Sequence, residues 1–290
     1  IILKSEIGDI ISKTTDKKKI NHLAVGEGNK QFENEIISGA LSADMMDYLL
    51  RDGYFTGAEH AKIDHNRITN SFEIYKNKLA LQSSALVNFE TMMISRFQMF
   101  KAVYFHKTVR AGEVMLLEAM SLADDYLGLS KMNVESYMIQ TDDSILQQLT
   151  SLPEDTSELK AAKKIATDYQ DRKLFKCVFE KTISGKKSFG RNKLKQFRED
   201  IAKKSKLAES QIFIDTSTTH SMPLAPSKKE SSSIILIKKE GSKVIPKTIP
   251  ISEIPLVSSM SGKMNILRAY TQQKNRNKVE IAAKSILGEL

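Results

Sequence analysis

The sequence has one cysteine, no tryptophan and no long apolar run among its 290 residues. The lone Cys177 excludes an internal disulfide, so a reducing cytoplasm is the compartment that we expect. Every apolar run is far shorter than the roughly 20 residues that a transmembrane helix needs, so we expect no membrane segment. Residues 1–20 also do not resemble a signal peptide, because Lys4, Glu6 and Asp9 interrupt their apolar start.

Proline is absent from the first half, since all six prolines lie after residue 152. The first 150 residues instead show helical spacing, with Ser42 as the predicted N-cap of a helix over Ala43–Leu50. The other predicted helices lie within 83–127 and over 156–170 and 188–204, and the predicted strands lie at 174–183, 211–215, 233–239 and 243–247. Segment 218–232 is predicted to be a loop.

This pattern predicts a mainly α fold with a smaller α+β C-terminal domain. The boundary is expected near residue 170, giving a helical domain over 1–170 and a basic α+β domain over 171–290. The strands at 211–215, 233–239 and 243–247 are expected to form a small antiparallel sheet. Because this second segment is short and rich in loops, we expect it to pack on the helical domain or on another subunit.

Positive charge is concentrated in the second half of the sequence. Residues 1–150 hold 16 Lys/Arg and 20 Asp/Glu, whereas residues 151–290 hold 28 and 15. The formal charge of +9 therefore divides into −4 and +13. A basic half suits polyanionic partners such as nucleotides or nucleic acid, but a solvated basic surface explains it equally well.

Segment 42–52 carries three polar residues at helical spacing. Asp44, Tyr48 and Asp52 follow one another at intervals of four, so they share one face of a helix, with Arg51 beside them. An aromatic ring flanked by two carboxylates suits a sugar or base next to a cation. The alternative is an amphipathic surface helix whose acidic residues interact favourably with its N-terminus.

A second helical face carries Arg96, Phe100 and Tyr104. Arginine offers a planar fork of donors that matches phosphate oxygens, and tyrosine combines an apolar ring with a polar tip. The alternative is ordinary core packing beside a solvated arginine. Polar helical faces are costly to bury unless they meet each other or a ligand. We therefore expect the two helices to lie side by side, with Tyr48, Asp52, Arg96 and Tyr104 converging on one cavity.

Together the two segments resemble the HD-domain deoxynucleoside-triphosphate triphosphohydrolases and their archaeal and bacterial relatives. The matching stretches are Leu41–Asp52, Tyr54–Gly57 and Arg96–Lys107, with weaker similarity at Ala123–Tyr126 and Arg172–Lys176. The resemblance implies an HD-type helical bundle that holds a divalent metal ion through a histidine, a His-Asp pair and a distant aspartate. The metal would polarise the α-phosphate and activate water, releasing a nucleoside and triphosphate.

The resemblance also implies roles for single residues. Asp44 matches the distant metal-binding aspartate and is the candidate catalytic residue. Tyr48 and Asp52 match residues that contact the sugar of the nucleotide. Arg96 matches a residue that contacts the triphosphate.

The end of the second motif carries two further implied contacts. Tyr104 matches a residue that lies against the sugar and helps to exclude a 2′-hydroxyl. Lys107, which follows His106 at the end of the motif, is implied to face either phosphate or a second, regulatory nucleotide. A nucleotide substrate and assembly into a homo-oligomer are the partners that we expect.

The sequence departs from the family pattern in two ways. Met45 stands where the family usually has a basic residue that contacts phosphate, which puts triphosphate specificity in question. None of the five histidines is followed by aspartate, so the His-Asp pair is not in this sequence. We expect that motif upstream of Ile1, and a naturally degenerate homologue is the alternative. The metal, whether Mg, Mn, Fe, Ni or Zn, is not fixed.

Two other functions are compatible with these residues. The first is a nucleotide-sensing protein that keeps the pocket but does no chemistry, which Met45 mildly favours. The second is a nucleic-acid-binding protein that uses the basic second half, and salt-dependent retention on DNA or RNA would reveal it.

Overall fold

The structure is a computed structural model that describes residues 2–183, 189–220, 233–259 and 263–289. Its helices are α1 Glu6–Ser12, α2 Lys17–Ala24, α3 Gln31–Ser38, α4 Ala43–Thr56, α5 His65–Thr69, α6 Leu86–Met99, α7 Lys107–Leu127, α8 Val134–Met138, α9 Asp142–Thr150, α10 Ser157–Gln170, α11 Arg191–Ser205, α12 Pro255–Ser259 and α13 Arg276–Leu287. Its strands are β1 Phe72–Tyr75, β2 Lys78–Gln82, β3 Lys176–Thr182, β4 Ile212–His220, β5 Ser233–Glu240, β6 Lys243–Pro250 and β7 Lys263–Thr271. The predicted mainly helical class with a smaller α+β part is confirmed.

The chain forms two compact units, each built from two stretches of sequence. The first unit comprises residues 1–103 and 220–263, and the second comprises residues 104–219 and 264–290. These two units do not correspond to the expected domains over 1–170 and 171–290. The physical reason is strand pairing, because β5 pairs in parallel with β2 and so joins the first unit.

The first unit contains a four-stranded sheet in the order β1-β2-β5-β6. Its first two strands form a hairpin that the helical prediction for residues 1–150 missed. Lys76 and Asn77 occupy the turn with φ of 48° and 64°, as a two-residue type I′ turn requires. The alternation of apolar and polar residues before this turn is the signal that predicts the strand.

The predicted three-stranded antiparallel sheet is wrong in its composition. The strands β5 and β6 do pair antiparallel, with Ser233 opposite Pro250. The third predicted strand, β4, lies instead in a separate sheet of the second unit, in the order β3-β7-β4. Residues 218–220 of the predicted loop belong to β4, which extends to His220, and residues 221–232 lie outside the described residues.

The core of the first unit fixes the rotation of α4. Met45, Leu49 and Gly53 repeat at intervals of four and are buried. Gly53 allows close packing, because a Cβ there would lie 2.5 Å from the Cβ of Ala61. Helix α6 contributes four large apolar side chains to the buried residues of this unit: Phe89, Met92, Met93 and Met99.

Two apolar clusters form the core of the second unit. One lies around α7, α9 and α10 and includes Met115, Ala119, Leu149, Ala162, Phe175 and Phe213. The other packs α11 and α13 on the sheet β3-β7-β4 and includes Phe197, Ile201, Leu267, Val279 and Ala283. Gly112 permits the close approach of α7 and α10, since a Cβ there would lie 3.2 Å from Cε2 of Tyr169.

Charge is divided evenly between the two units. The first unit has 20 Lys/Arg against 16 Asp/Glu, and the second has 24 against 19. Their net charges are therefore +4 and +5, so the basic half of the sequence does not form one basic unit. Within the described ranges, no helix combines the length and apolarity needed to cross a bilayer.

Helix α4 begins at the predicted cap. Ser42 is buried, and its hydroxyl accepts a hydrogen bond of 3.2 Å from the backbone N–H of Met45. We predict that Ser42→Ala lowers the free energy of unfolding by about 1 kcal/mol, because the N–H loses its acceptor. Chemical denaturation measures this change. Ser42→Thr retains a capping hydroxyl, so an equal loss in both variants would contradict the prediction.

Candidate functional site

Arg96 and Tyr48 meet where α6 lies beside α4 in the first unit. Nη1 of Arg96 donates a hydrogen bond to the hydroxyl oxygen of Tyr48. The guanidinium also stacks on the ring of Phe100, with its central carbon 4.4 Å from the ring centroid. The structure therefore brings Arg96 and Tyr48 together, and the predicted convergence of Asp52 and Tyr104 with them on one cavity stays a prediction.

The guanidinium of Arg96 is only partly satisfied. Its Nε is buried and has no hydrogen-bond partner among the residues that the structure describes. A buried donor without a partner costs about 1–3 kcal/mol, so such groups are rare in native proteins and occur at functional sites. The stacking on Phe100 offsets part of this cost, because an aromatic face attracts a cation.

Two carboxylates lie on the same face of α4 as Tyr48. Asp44, in the first turn, is exposed, and Asp52, two turns later, is half-buried. Burial raises the pKa of the Tyr48 hydroxyl, the Arg96 guanidinium opposes that rise, and the negative charges of both aspartates add to it. Asp44, Tyr48, Asp52 and Arg96 thus form one electrostatically coupled group.

The neighbours of this group on α4 point elsewhere. Arg51 forms an ion pair with Asp47 on the exposed side of the helix. Met45 is only 5% exposed and belongs to the core. Position 45 is therefore a packing position in this structure.

Tyr104 and Lys107 belong to the second unit. A π-helical turn, Phe100–Tyr104, continues α6, and the boundary between the units falls within it. His106 is the N-cap of α7, where its Nδ1 accepts a hydrogen bond of 3.3 Å from the N–H of Thr108. The side chain of Lys107 is exposed. The proposed contacts of Tyr104 and Lys107 with a nucleotide stay predictions.

The described residues do not by themselves fit a divalent metal ion. Across residues 2–183, 189–220, 233–259 and 263–289, no group of three or more His, Cys, Asp or Glu side chains could hold one. A metal ion held by protein normally needs three or four ligands. Asp44 offers one carboxylate, which is a single ligand.

A second polar group, which sequence reasoning missed, lies in the second unit. Arg110 on α7 binds both carboxylate oxygens of the buried Asp215 on β4, at 3.1 and 2.6 Å. Arg268 on β7 is only 3% exposed. A charged residue inside the apolar run Ile266–Tyr270 is the signal that predicts such a group, because a buried charge requires partners.

One family model matches most of this chain. It is described as the HD associated region, and it matches residues 63–288. The chain belongs to this family. Arg96, Tyr104 and Lys107 lie inside the matched range, and the helix that carries Asp44 and Tyr48 precedes it.

Several relatives of this HD-associated-region chain are known. An uncharacterized protein of Methanocaldococcus jannaschii is 35% identical over 36% of this chain and 26% of its own length. The deoxynucleoside triphosphate triphosphohydrolase SAMHD1 homolog of Dictyostelium discoideum is 28% identical over 60% of this chain and 34% of its own. For SAMHD1 of Homo sapiens the values are 24%, 64% and 32%. The chain thus spans about a quarter to a third of these relatives.

Two solved structures share the fold. A hypothetical protein from Aquifex aeolicus superposes with a TM-score of 0.73 at 22% identity, covering 98% of this chain and 70% of its own. A phosphohydrolase from Bacteroides thetaiotaomicron superposes with a TM-score of 0.62 at 19% identity, covering 92% and 70%. Together with the triphosphohydrolase relatives, the family match makes this chain a relative of the HD-domain phosphohydrolases.

The raised pKa of Tyr48 has a measurable consequence. We predict that Tyr48 ionises with a midpoint above the usual value of 10.0. The difference in tyrosinate absorbance between the wild type and Tyr48→Phe, followed against pH, measures this midpoint. The folded state binds this proton more tightly than the unfolded state does. Its contribution to stability is therefore complete below pH 10 and is lost as the pH rises through the folded-state pKa. A midpoint at or below 10 in the difference titration would contradict the burial of this hydroxyl.

Proposed function

We propose that this chain supplies the nucleotide-binding side of an HD-domain phosphohydrolase that converts a deoxynucleoside triphosphate to a nucleoside and triphosphate. The observation that carries the proposal is the contact between Arg96 and Tyr48 beside two carboxylates. The triphosphohydrolase activity for which the SAMHD1 relatives are named supports the same substrate class.

Arg96 is the proposed triphosphate contact. Its guanidinium is held on one side by the Tyr48 hydroxyl and from one face by the Phe100 ring. Such a guanidinium loses little conformational freedom on binding, and its planar fork of donors matches phosphate oxygens. Holding the group in place before the substrate arrives is what favours tight binding.

Tyr48 and Asp52 are the proposed contacts to the sugar. The Tyr48 ring offers an apolar face, and its hydroxyl can hydrogen-bond to the sugar. The half-buried Asp52 carboxylate is an acceptor for a sugar hydroxyl. Tyr104 is proposed to lie against the sugar and to oppose a 2′-hydroxyl. Lys107 is proposed to face phosphate or a regulatory nucleotide.

Asp44 is proposed as one metal ligand and as the catalytic residue. A complete ligand set is not found among the described residues, so the proposal extends only to the side chains that bind and orient the nucleotide. The metal would be Mg, Mn, Fe, Ni or Zn. Assembly into a homo-oligomer is also proposed.

We predict that this chain retains well below one equivalent of Mn²⁺ after loading and desalting, because one carboxylate holds a divalent ion weakly. It should also hydrolyse no dATP. Elemental analysis and product chromatography measure these two quantities. One equivalent of manganese that disappears in Asp44→Asn, together with turnover, would show that the chain holds a complete site.

We predict that Arg96→Ala weakens dATP binding by roughly 1.5–3 kcal/mol, or about 10- to 150-fold, because a charge-assisted contact to phosphate is lost. Titration calorimetry measures the affinity, and thermal unfolding reports any loss of stability. The matched control is Arg51→Ala, since Arg51 lies on the exposed side of α4 in an ion pair with Asp47. Equal affinities of the two variants would remove Arg96 from the site.

A nucleotide sensor without hydrolytic activity is the second candidate function. It is favoured by Met45, an apolar core residue at a position where the resemblance implies a basic phosphate contact. Substituting Met45 by lysine would not restore such a contact, because the side chain at this position faces the core. Because this chain alone is expected not to hydrolyse dATP under either function, the measurement that separates them uses the complete gene product. Stoichiometric dATP binding without turnover by that protein, in the presence of every metal named above, would support the sensor.

A further inference from the structure

The segment Phe105–Lys107 is held from two sides by side chains of β7. Nη2 of Arg268 donates to the carbonyl oxygen of Phe105 at 2.7 Å. The hydroxyl of Tyr270 donates to the carbonyl oxygen of Lys107 at 3.1 Å. These two carbonyls flank His106, the N-cap of α7, so the two bonds fix the backbone where the π-helical turn ends and α7 begins.

Arg268 is itself held rigidly. Besides the bond to Phe105, its Nε donates to Glu180 Oε2 at 2.7 Å, and its Nη1 donates to Ser217 Oγ at 3.2 Å. All three guanidinium nitrogens are thus engaged in a side chain that is almost fully buried. A buried guanidinium is tolerated only with such partners, and once they are present it has a single favourable position.

The hydrogen bonds around Arg268 extend to the first turn of α7. Ser217 Oγ donates to Asp215 Oδ2 at 3.0 Å, and Asp215 in turn accepts two hydrogen bonds from Arg110. The start of α7 is therefore tied to strand β4 through Arg110, and the residues just before it are tied to strand β7. Burial raises the pKa of the Tyr270 hydroxyl.

We infer that Arg268 and Tyr270 are positioning residues for the nucleotide contacts Tyr104 and Lys107, which adjoin the carbonyls that they hold. This inference rests on the function proposed above. It adds that discrimination between deoxyribose and ribose depends on two strand residues distant in sequence from both motifs. A purely structural role of the same bonds would change stability and leave discrimination unaltered.

The test uses Tyr270→Phe, which keeps the ring and removes one donor. The matched control is Tyr169→Phe, which removes a hydroxyl from a ring packed in the core of the same unit. Equilibrium binding of dATP and of ATP to the full chain gives the ratio of the two affinities. We expect Tyr270→Phe to lower this ratio about fivefold, which is the effect of one hydrogen bond. Tyr104→Ala should lower it as well, and the control should not.

Hydrogen exchange provides a second readout that needs no nucleotide. Peptides covering residues 104–110 should exchange faster in Tyr270→Phe and in Arg268→Lys than in the wild type or the control. Unchanged exchange in both variants would overturn the inference, as would faster exchange with an unchanged affinity ratio. A wild-type chain that binds neither nucleotide would overturn the proposed function, and the positioning of nucleotide contacts would fall with it. Faster exchange in that case would leave Arg268 and Tyr270 with a structural role only.

Discussion

The rotation of α4 about its own axis is the constraint on which the candidate site depends. Met45, Leu49 and Gly53 form a buried row, and Gly53 lets the helix approach Ala61 closely. The polar row at Asp44, Tyr48 and Asp52 is offset by one residue, which is about 100° around a helix. Apolar burial therefore places the polar row at the edge of the core, where Tyr48 is half-buried and Asp44 remains exposed.

This edge position explains the electrostatics of the group. A fully exposed row would lack the burial that raises the Tyr48 pKa. At the edge, burial of the hydroxyl is strong enough to outweigh the opposing effect of Arg96. The same intermediate burial lets Arg96 combine a hydrogen bond to Tyr48 with stacking on Phe100.

In the second unit, buried charged side chains are stabilised in a different way. Arg268 and Asp215 are almost fully buried and are satisfied by a chain of hydrogen bonds through Ser217. Such a network is rigid because each member has lost its access to water and depends on its neighbours. In the first unit Arg96 keeps one buried donor without a partner among the described residues, whereas in the second unit all three guanidinium nitrogens of Arg268 are paired.

The sequence by itself determined several of the helices, the N-cap of α4 and the residues that share the polar face of that helix. Ser42 and the Asp44–Asp52 spacing were readable because helix signals are local and repeat every three to four residues. The α-helical spacing predicted from Arg96 to Tyr104 does not continue to its end, because Phe100–Tyr104 forms a π-helical turn. The Arg96–Tyr48 contact followed, since both segments offered one polar face each. The family could also be identified from these same stretches, and the match over residues 63–288 agrees with it.

Only the tertiary structure decided how distant segments combine. Pairing of β2 with β5 brings residues 233–250 into the first unit, and no local pattern encodes which strand a given edge will accept. The apparent basic half of the sequence was divided between the units for the same reason. The hydrogen bonds from Arg268 and Tyr270 to the carbonyls of Phe105 and Lys107 join residues more than 160 positions apart. They could therefore be seen only once folding had placed these residues in one unit. Long-range pairing depends on the whole chain, whereas helix periodicity depends on a few neighbours.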